Sequence, residues 1–253
     1  FRRVLFRSAS ELSEKKVSTG LDKDYALAWS YGKAETMTLL IPNFFGGASS
    51  GELSKSSATW KAMMDKGVPE AQASGVLQNA PLYWGDQPFT SGPVYFGAAI
   101  CFLFVLGLMV VEGPVKWWLL TVTLLSMMLS WGKNFLPLTD IFFDHFPAYN
   151  KFRAVSMILA VAQLSVPLLG MLALKQFMDG GTPKEKIKKN LLLAFYITGG
   201  LCALFALLPG MFFDFTSQAD EQMKSSGYPD WIIESFRTDR ESLLRMDAFR
   251  SLL

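Results

Sequence analysis

The residues best equipped for chemistry lie close together, between Trp131 and Arg153. That stretch holds Lys133, Lys151 and Arg153, the carboxylates Asp140 and Asp144, and His145, the only histidine of the chain. Lys151 and Arg153 head a long apolar run, where basic residues can simply snorkel to a membrane interface. Arginine also presents a planar fork that fits phosphate oxygens, and lysine a point charge. The first amides of the following helix would add positive potential. Lys133, Lys151 and Arg153 are therefore candidate ligands for an anion such as a phosphate. Asp140 and Asp144 stand four apart, so a helix would put them on one face beside His145, a set that could hold a divalent cation. Pro137 and Pro147 bracket the segment and leave little room for a helix. The expectation is a polar, salt-bridged site, with no metal and no cofactor.

Little else in the sequence has chemical spacing. The glycine-rich run Pro42-Asn43-Phe44-Phe45-Gly46-Gly47 lacks the lysine and the strand–loop–helix setting of a phosphate-binding loop. Cys101 and Cys202 lie in apolar runs with no spacing motif and read as small buried hydrophobes. No nucleophile, base and orienting group stand at recognisable spacing.

The elements that must carry these residues are membrane helices. Only 18% of the 253 residues are charged and 51% are hydrophobic, against about 25% charged in soluble domains. Residues 94–111, 154–174 and 191–213 contain no Asp, Glu, Lys or Arg. Apolar runs of about 18 residues or more can cross a hydrocarbon core roughly 30 Å thick. With a shorter run at 117–131, flanked by tryptophans as interfacial anchors, the chain reads as an all-α polytopic membrane protein. Its membrane region is 94–213, with four spans at 94–111, 117–131, 154–174 and 191–213. Residues 9–93 are polar, rich in Gly, Ser and Pro, and read as a large loop packed on the helices, with helical pieces at 55–66 and 70–78. Residues 214–253 hold an amphipathic helix, its apolar Leu243, Leu244, Met246 and Phe249 set against Asp239, Arg240, Glu241 and Arg245; it is expected to lie on the membrane surface and feed into a further span. Residues 1–8 differ in character from the residues after them and read as non-native, and both ends read as cut.

The lysines at 175–190 place that connection in the cytoplasm by the positive-inside rule. Residues 112–116 then lie inside as well, while 9–93, 132–153 and 214–253 lie outside. The formal charge of +2 gives no footing for a nucleic-acid partner, which leaves membrane lipid as the expected one.

Four motifs share the outer side: Trp29-Ser30-Tyr31-Gly32-Lys33-Ala34-Glu35, Leu40 to Gly47, Tyr83-Trp84-Gly85-Asp86-Gln87-Pro88-Phe89 with Tyr95-Phe96-Gly97, and Pro147 to Arg153. Their order and spacing resemble the bacterial YfhO family of membrane proteins, over a region from about Ser10 onward. The resemblance implies a GT-C type glycosyltransferase of the bacterial inner membrane, which takes sugar from a polyprenyl-phosphate donor on the outer face for envelope glycosylation. It would give Lys151 and Arg153 a lipid phosphate to hold. The key acid of such enzymes belongs to a first outer loop upstream of Ala9, so no catalytic residue is carried over and the segment alone is expected to be inactive. A lipid or polysaccharide transporter, or a non-catalytic envelope scaffold, is the alternative.

Overall fold

A computed structural model describes residues 21–147, 149–151, 154–179 and 183–253. Among them the chain is helical, with one isolated β-bridge, Gly51 to Ala80, and no strand. The helices are α1 (Lys23–Ala26), α2 (Ala58–Asp65), α3 (Glu70–Gln78), α4 (Ala98–Val110), α5 (Val115–Ser130), α6 (Leu136–His145), α7 (Leu159–Met178), α8 (Lys184–Leu207), α9 (Gln218–Ser225) and α10 (Asp230–Leu252).

Two helical segments are long and apolar enough to cross a membrane, Val155–Met178 and Glu185–Leu207. A third candidate is the pair Val115–Ser130 and Gly132–His145, bent by 114° at the break. The helix expected over 94–111 is shorter. Gly97 takes a left-handed φ of 106°, and the Phe96 amide donates to the Leu39 carbonyl rather than to a helical turn. Thirteen residues remain in α4, about 20 Å at 1.5 Å per residue. The last span is displaced instead of shortened: α8 begins in the lysine cluster at Lys184 and ends at Leu207, because Pro209 cannot continue it.

α7 packs between α4 and α5, α8 covers the other side of α4, and α10 covers α8. Small residues set the closest approach. A Cβ on Gly107 would stand 2.7 Å from Leu169 Cγ and 2.8 Å from its carbonyl oxygen, and one on Gly170 would stand 3.0 Å from Leu103 Cβ. Between α5 and α7 the glue is polar, with Thr123 and Ser165 hydroxyls 2.6 Å apart and buried, as in helix pairs that meet inside a bilayer. Outward faces of α7 and α8 are apolar: Leu164, Tyr196 and Leu207 are all about two-thirds exposed or more.

Residues 21–97 form a layer over one end of these helices. The Tyr31 amide donates to Ser130 O at the end of α5. Phe44 and Phe205 of α8 meet edge to face at 4.8 Å, and Phe45 lies 4.0 Å from Trp84; such pairs contribute about 0.5–1.5 kcal/mol each beyond burial. At the far end, the connections around Glu112 and Asp179 face each other with Lys175 and Lys186. The expected packed loop is thus an ordered layer, and its helices α2 and α3 match the pieces read at 55–66 and 70–78.

α10 differs most from the sequence reading. Its buried face carries charge as well as apolar side chains: Asp239, Arg240 and Asp247 are enclosed beside Ile233, Phe236 and Leu244, while Met246 and Phe249 are exposed. Asp239 accepts from the Ala58 and Thr59 amides at 2.7 and 2.9 Å, capping α2. Arg240 is wholly buried and grips both oxygens of Asp220 at 2.9 and 3.0 Å, along with the carbonyls of Pro81 and Phe215. Burial alone would raise the Asp220 carboxyl, yet Arg240 holds it below its ordinary range. Nor does the helix lie flat on a surface. It runs antiparallel along α8, with Arg245 reaching the Leu207 carbonyl and Leu252 against Gly199.

Candidate functional site

The first and third motifs, about fifty residues apart in sequence, meet at Glu35. This carboxylate is 2% exposed and forms no ion pair among the described residues. Oε1 accepts from the Tyr83 hydroxyl at 2.8 Å and from Gln87 Nε2 at 3.0 Å, and Oε2 accepts from the Gly32 amide at 2.9 Å. Burial raises its pKa above the usual carboxylate range, against the pull of those three hydrogen bonds. The Tyr31 phenol is pushed up to about 12, also chiefly by burial; it donates to Thr38 Oγ1, whose own proton goes to the Glu35 carbonyl.

Glu35 owes its position to short-range geometry. Gly32 has no room for a side chain, since a Cβ there would meet Asp86 Oδ2 at 2.9 Å. Asn134, just after α5, ties the layer to the helices by donating to Tyr31 O at 2.9 Å and Asp86 Oδ2 at 3.0 Å. Trp131 adds a bond to Thr36 Oγ1 at 2.8 Å. The second motif is fixed from above: Asn43, at φ 50°, donates to Asp247 of α10 at 3.0 Å.

The residues singled out between 131 and 153 divide into three places. Asp144, His145 and Lys151 line one shallow cavity of about 250 Å³, together with Asn150 and Phe146. Asp140 instead pairs with Lys23 at 2.7 Å. Lys133 is exposed at the opposite end of α6, about 15 Å away along the helix axis; its amide, not its ammonium, is engaged, donating to Ser30 Oγ at 2.9 Å. Arg153 lies outside the described residues. The prolines do not exclude a helix here. Pro137 sits in the first turn of α6, where its missing amide costs nothing, so Asp140 and Asp144 do share a helix. His145 Nδ1–H donates to Ile141 O at 3.2 Å, which leaves Nε2 toward the outside. Among the described residues no three His, Cys, Asp or Glu side chains gather as a metal would require. Cys101 and Cys202 are free thiols, Cys202 buried and Cys101 donating to Leu39 O.

Sequence reasoning placed Glu35 inside a motif and gave it no role. Nothing local marks it, because each of its donors comes from a turn or from the segment fifty residues on. No family model, no curated protein and no solved structure matches the chain.

Proposed function

We propose that the chain is part of a glycosyltransferase-like membrane protein of the YfhO type, which handles a polyprenyl-phosphate-linked sugar at the outer face of a bacterial inner membrane. The observation that carries this reading is the cavity lined by Lys151, Asp144 and His145, on the segment that leads into α7. A cation at the outer end of a span stands where a lipid phosphate would sit, with carboxylate and imidazole able to bond sugar hydroxyls. The same reading takes residues 94–111, 117–131, 154–174 and 191–213 as four crossings. α4 and α5 are shorter than the hydrocarbon core, a mismatch that local thinning of the bilayer absorbs.

Polyprenyl-phosphate binding to the full-length protein in detergent tests it. A charge-assisted hydrogen bond contributes roughly 1.5–3 kcal/mol, so Lys151→Ala and Arg153→Ala should each weaken binding about ten- to a hundredfold. Arg153→Lys should fall between, since a point charge does not replace the fork. Wild-type binding by both alanine variants would reduce these residues to interface anchors.

The 114° break between α5 and α6 favours a second reading, a lipid or polysaccharide transporter, in which interrupted helices border a pathway. Lipid counterflow in proteoliposomes without sugar transfer would select it.

A further inference from the structure

A groove of about 430 Å³ opens between α3, α9 and the start of α10, on elements that the Lys151 cavity does not use. Its volume falls in the range of about 300–1,000 Å³ that small-molecule pockets occupy. The floor is apolar, built from Met223, Ile232 and Phe236, and the rim carries Asn79, Gln222 and Tyr228. Among the described residues no Asp, Glu, Lys or Arg lines it.

One buried side chain holds both walls. Arg240 donates to the Pro81 carbonyl at 2.6 Å, two residues after Asn79, and to the two oxygens of Asp220 at 2.9 and 3.0 Å, two residues before Gln222. Desolvation offsets much of what such a pair contributes to stability, but the pair fixes the distance from the end of α3 to α9. Tyr228 is set by a tight helix end. Gly227, at φ 83°, and Tyr228 return their amides to the carbonyls of Lys224 and Met223 at 3.0 Å each. Pro229 follows and opens α10. The half-exposed ring therefore stands on a rigid turn.

Place and chemistry select the occupant. α10 meets the end of α8 where Arg245 reaches the Leu207 carbonyl. Asp230, its first residue, stands fifteen residues earlier, about 22 Å further along the axis. With α8 as a membrane span, the groove faces water and not hydrocarbon. An uncharged lining favours a neutral molecule. The side-chain amides of Asn79 and Gln222 and the Tyr228 hydroxyl make no hydrogen bond among the described residues. Each amide both donates and accepts, as neighbouring hydroxyls do. A flat ring beside two such amides matches the two aspects of a pyranose, its C–H face and its hydroxyl edge.

We infer that this groove binds a neutral sugar, its ring face on Tyr228 and its hydroxyls on Asn79 and Gln222. The inference stands apart from the proposed function, whose residues line the other cavity.

Saturation-transfer NMR on the full-length protein, in a detergent without a sugar headgroup, tests it. The probes are the methyl glycosides of glucose, galactose, mannose and N-acetylglucosamine, and the capped peptide N-acetyl-trialanine amide. At least one glycoside should receive saturation, most strongly at its ring C–H protons, and the peptide none. Tyr228→Phe should keep the signal. Tyr228→Ala should weaken binding about tenfold. Gln222→Trp, at an exposed position on α9, should fill the groove and abolish binding, and it decides where Tyr228→Ala does not fold. Lys151→Ala should change nothing. The inference is overturned by a lack of transfer to every glycoside, or by transfer that survives Gln222→Trp. So it is by transfer lost only in Lys151→Ala, which would assign the sugar to the other cavity. Saturation of the peptide in place of the sugars, lost in Gln222→Trp, would make the groove a peptide site and also decides against it.

Discussion

Glu35 is a carboxylate held by three neutral donors, and its neutral form fits the same cage. Tyr83 and Gln87 can each reverse from donor to acceptor, Tyr83 by turning its hydroxyl and Gln87 by flipping its amide. The group most affected by titration is therefore Glu35 itself, with Asp86 a charge that acts on it and Tyr31 and Tyr83 the neighbouring phenols. Because its pKa is raised on folding, the folded chain binds the proton more tightly than the unfolded chain. The resulting stability is full below the ordinary value of 4.5 and is lost as pH rises through the raised one. Thermal unfolding in detergent, followed from pH 4.5 upward, should thus show a decline in the wild type that Glu35→Gln lacks. Glu35→Ala strands three donors and should cost about 1–3 kcal/mol at every pH. Parallel slopes for wild type and Glu35→Gln would show that Glu35 is ionised throughout and contributes nothing to pH dependence.

At the scale of elements, the contact between α4 and α7 is set by two glycines, so the effect of a methyl group depends on where it is added. Gly107→Ala forces apart a backbone contact, 2.8 Å to the Leu169 carbonyl, and should destabilise by about 1–3 kcal/mol. Leu169→Ala should restore only part of that, since the carbonyl remains. Gly75→Ala, in α3 with open space around it, should instead stabilise by about 0.5–1 kcal/mol. Melting temperatures of the three variants check this, and a neutral Gly107→Ala would mean the helices separate easily. Helices of this kind were legible from uncharged runs alone, because no distant residue is needed to make an apolar helix. Their ends were not. α4 starts late because Leu39, almost sixty residues earlier, takes the Phe96 amide. The burial of Asp239 and Arg240 in α10 was missed for a related reason. A local pattern assumes water on the polar side, and here that side faces α2, Asp220 and the Pro81 carbonyl, all far away in sequence. Of the candidate site, the place of Asp144 beside His145 follows from their adjacency in the sequence, whereas the diversion of Asp140 to Lys23 required the fold.

For the whole molecule, the arrangement of ends constrains topology more tightly than charge does. α4 starts, α5 ends, α7 starts and α8 ends beneath the layer formed by residues 21–97, as the bonds from Phe96 to Leu39 and from Tyr31 to Ser130, the closeness of Ser30 and Val155 at Gly132, and the edge-to-face contact of Phe44 with Phe205 require. Glu112, Lys175, Asp179 and Lys186 share the opposite end. Whatever the orientation, these two ends must lie on opposite sides if the helices between them cross a membrane. The sign comes from composition. Lys175, Lys184, Lys186, Lys188 and Lys189 outnumber Glu112, Asp179 and Glu185 at the far end, so that end should be cytoplasmic and the layer external. Single cysteines in a background lacking Cys101 and Cys202 test both statements, placed at Ser50 and Lys186, which are exposed. An impermeant maleimide on intact cells should label Ser50→Cys, and should label Lys186→Cys only after the membrane is opened. The reverse pattern would invert the protein while keeping its ends apart. Labelling of both positions in intact cells would mean that the helices between them do not separate two compartments, and the four crossings would have to be abandoned.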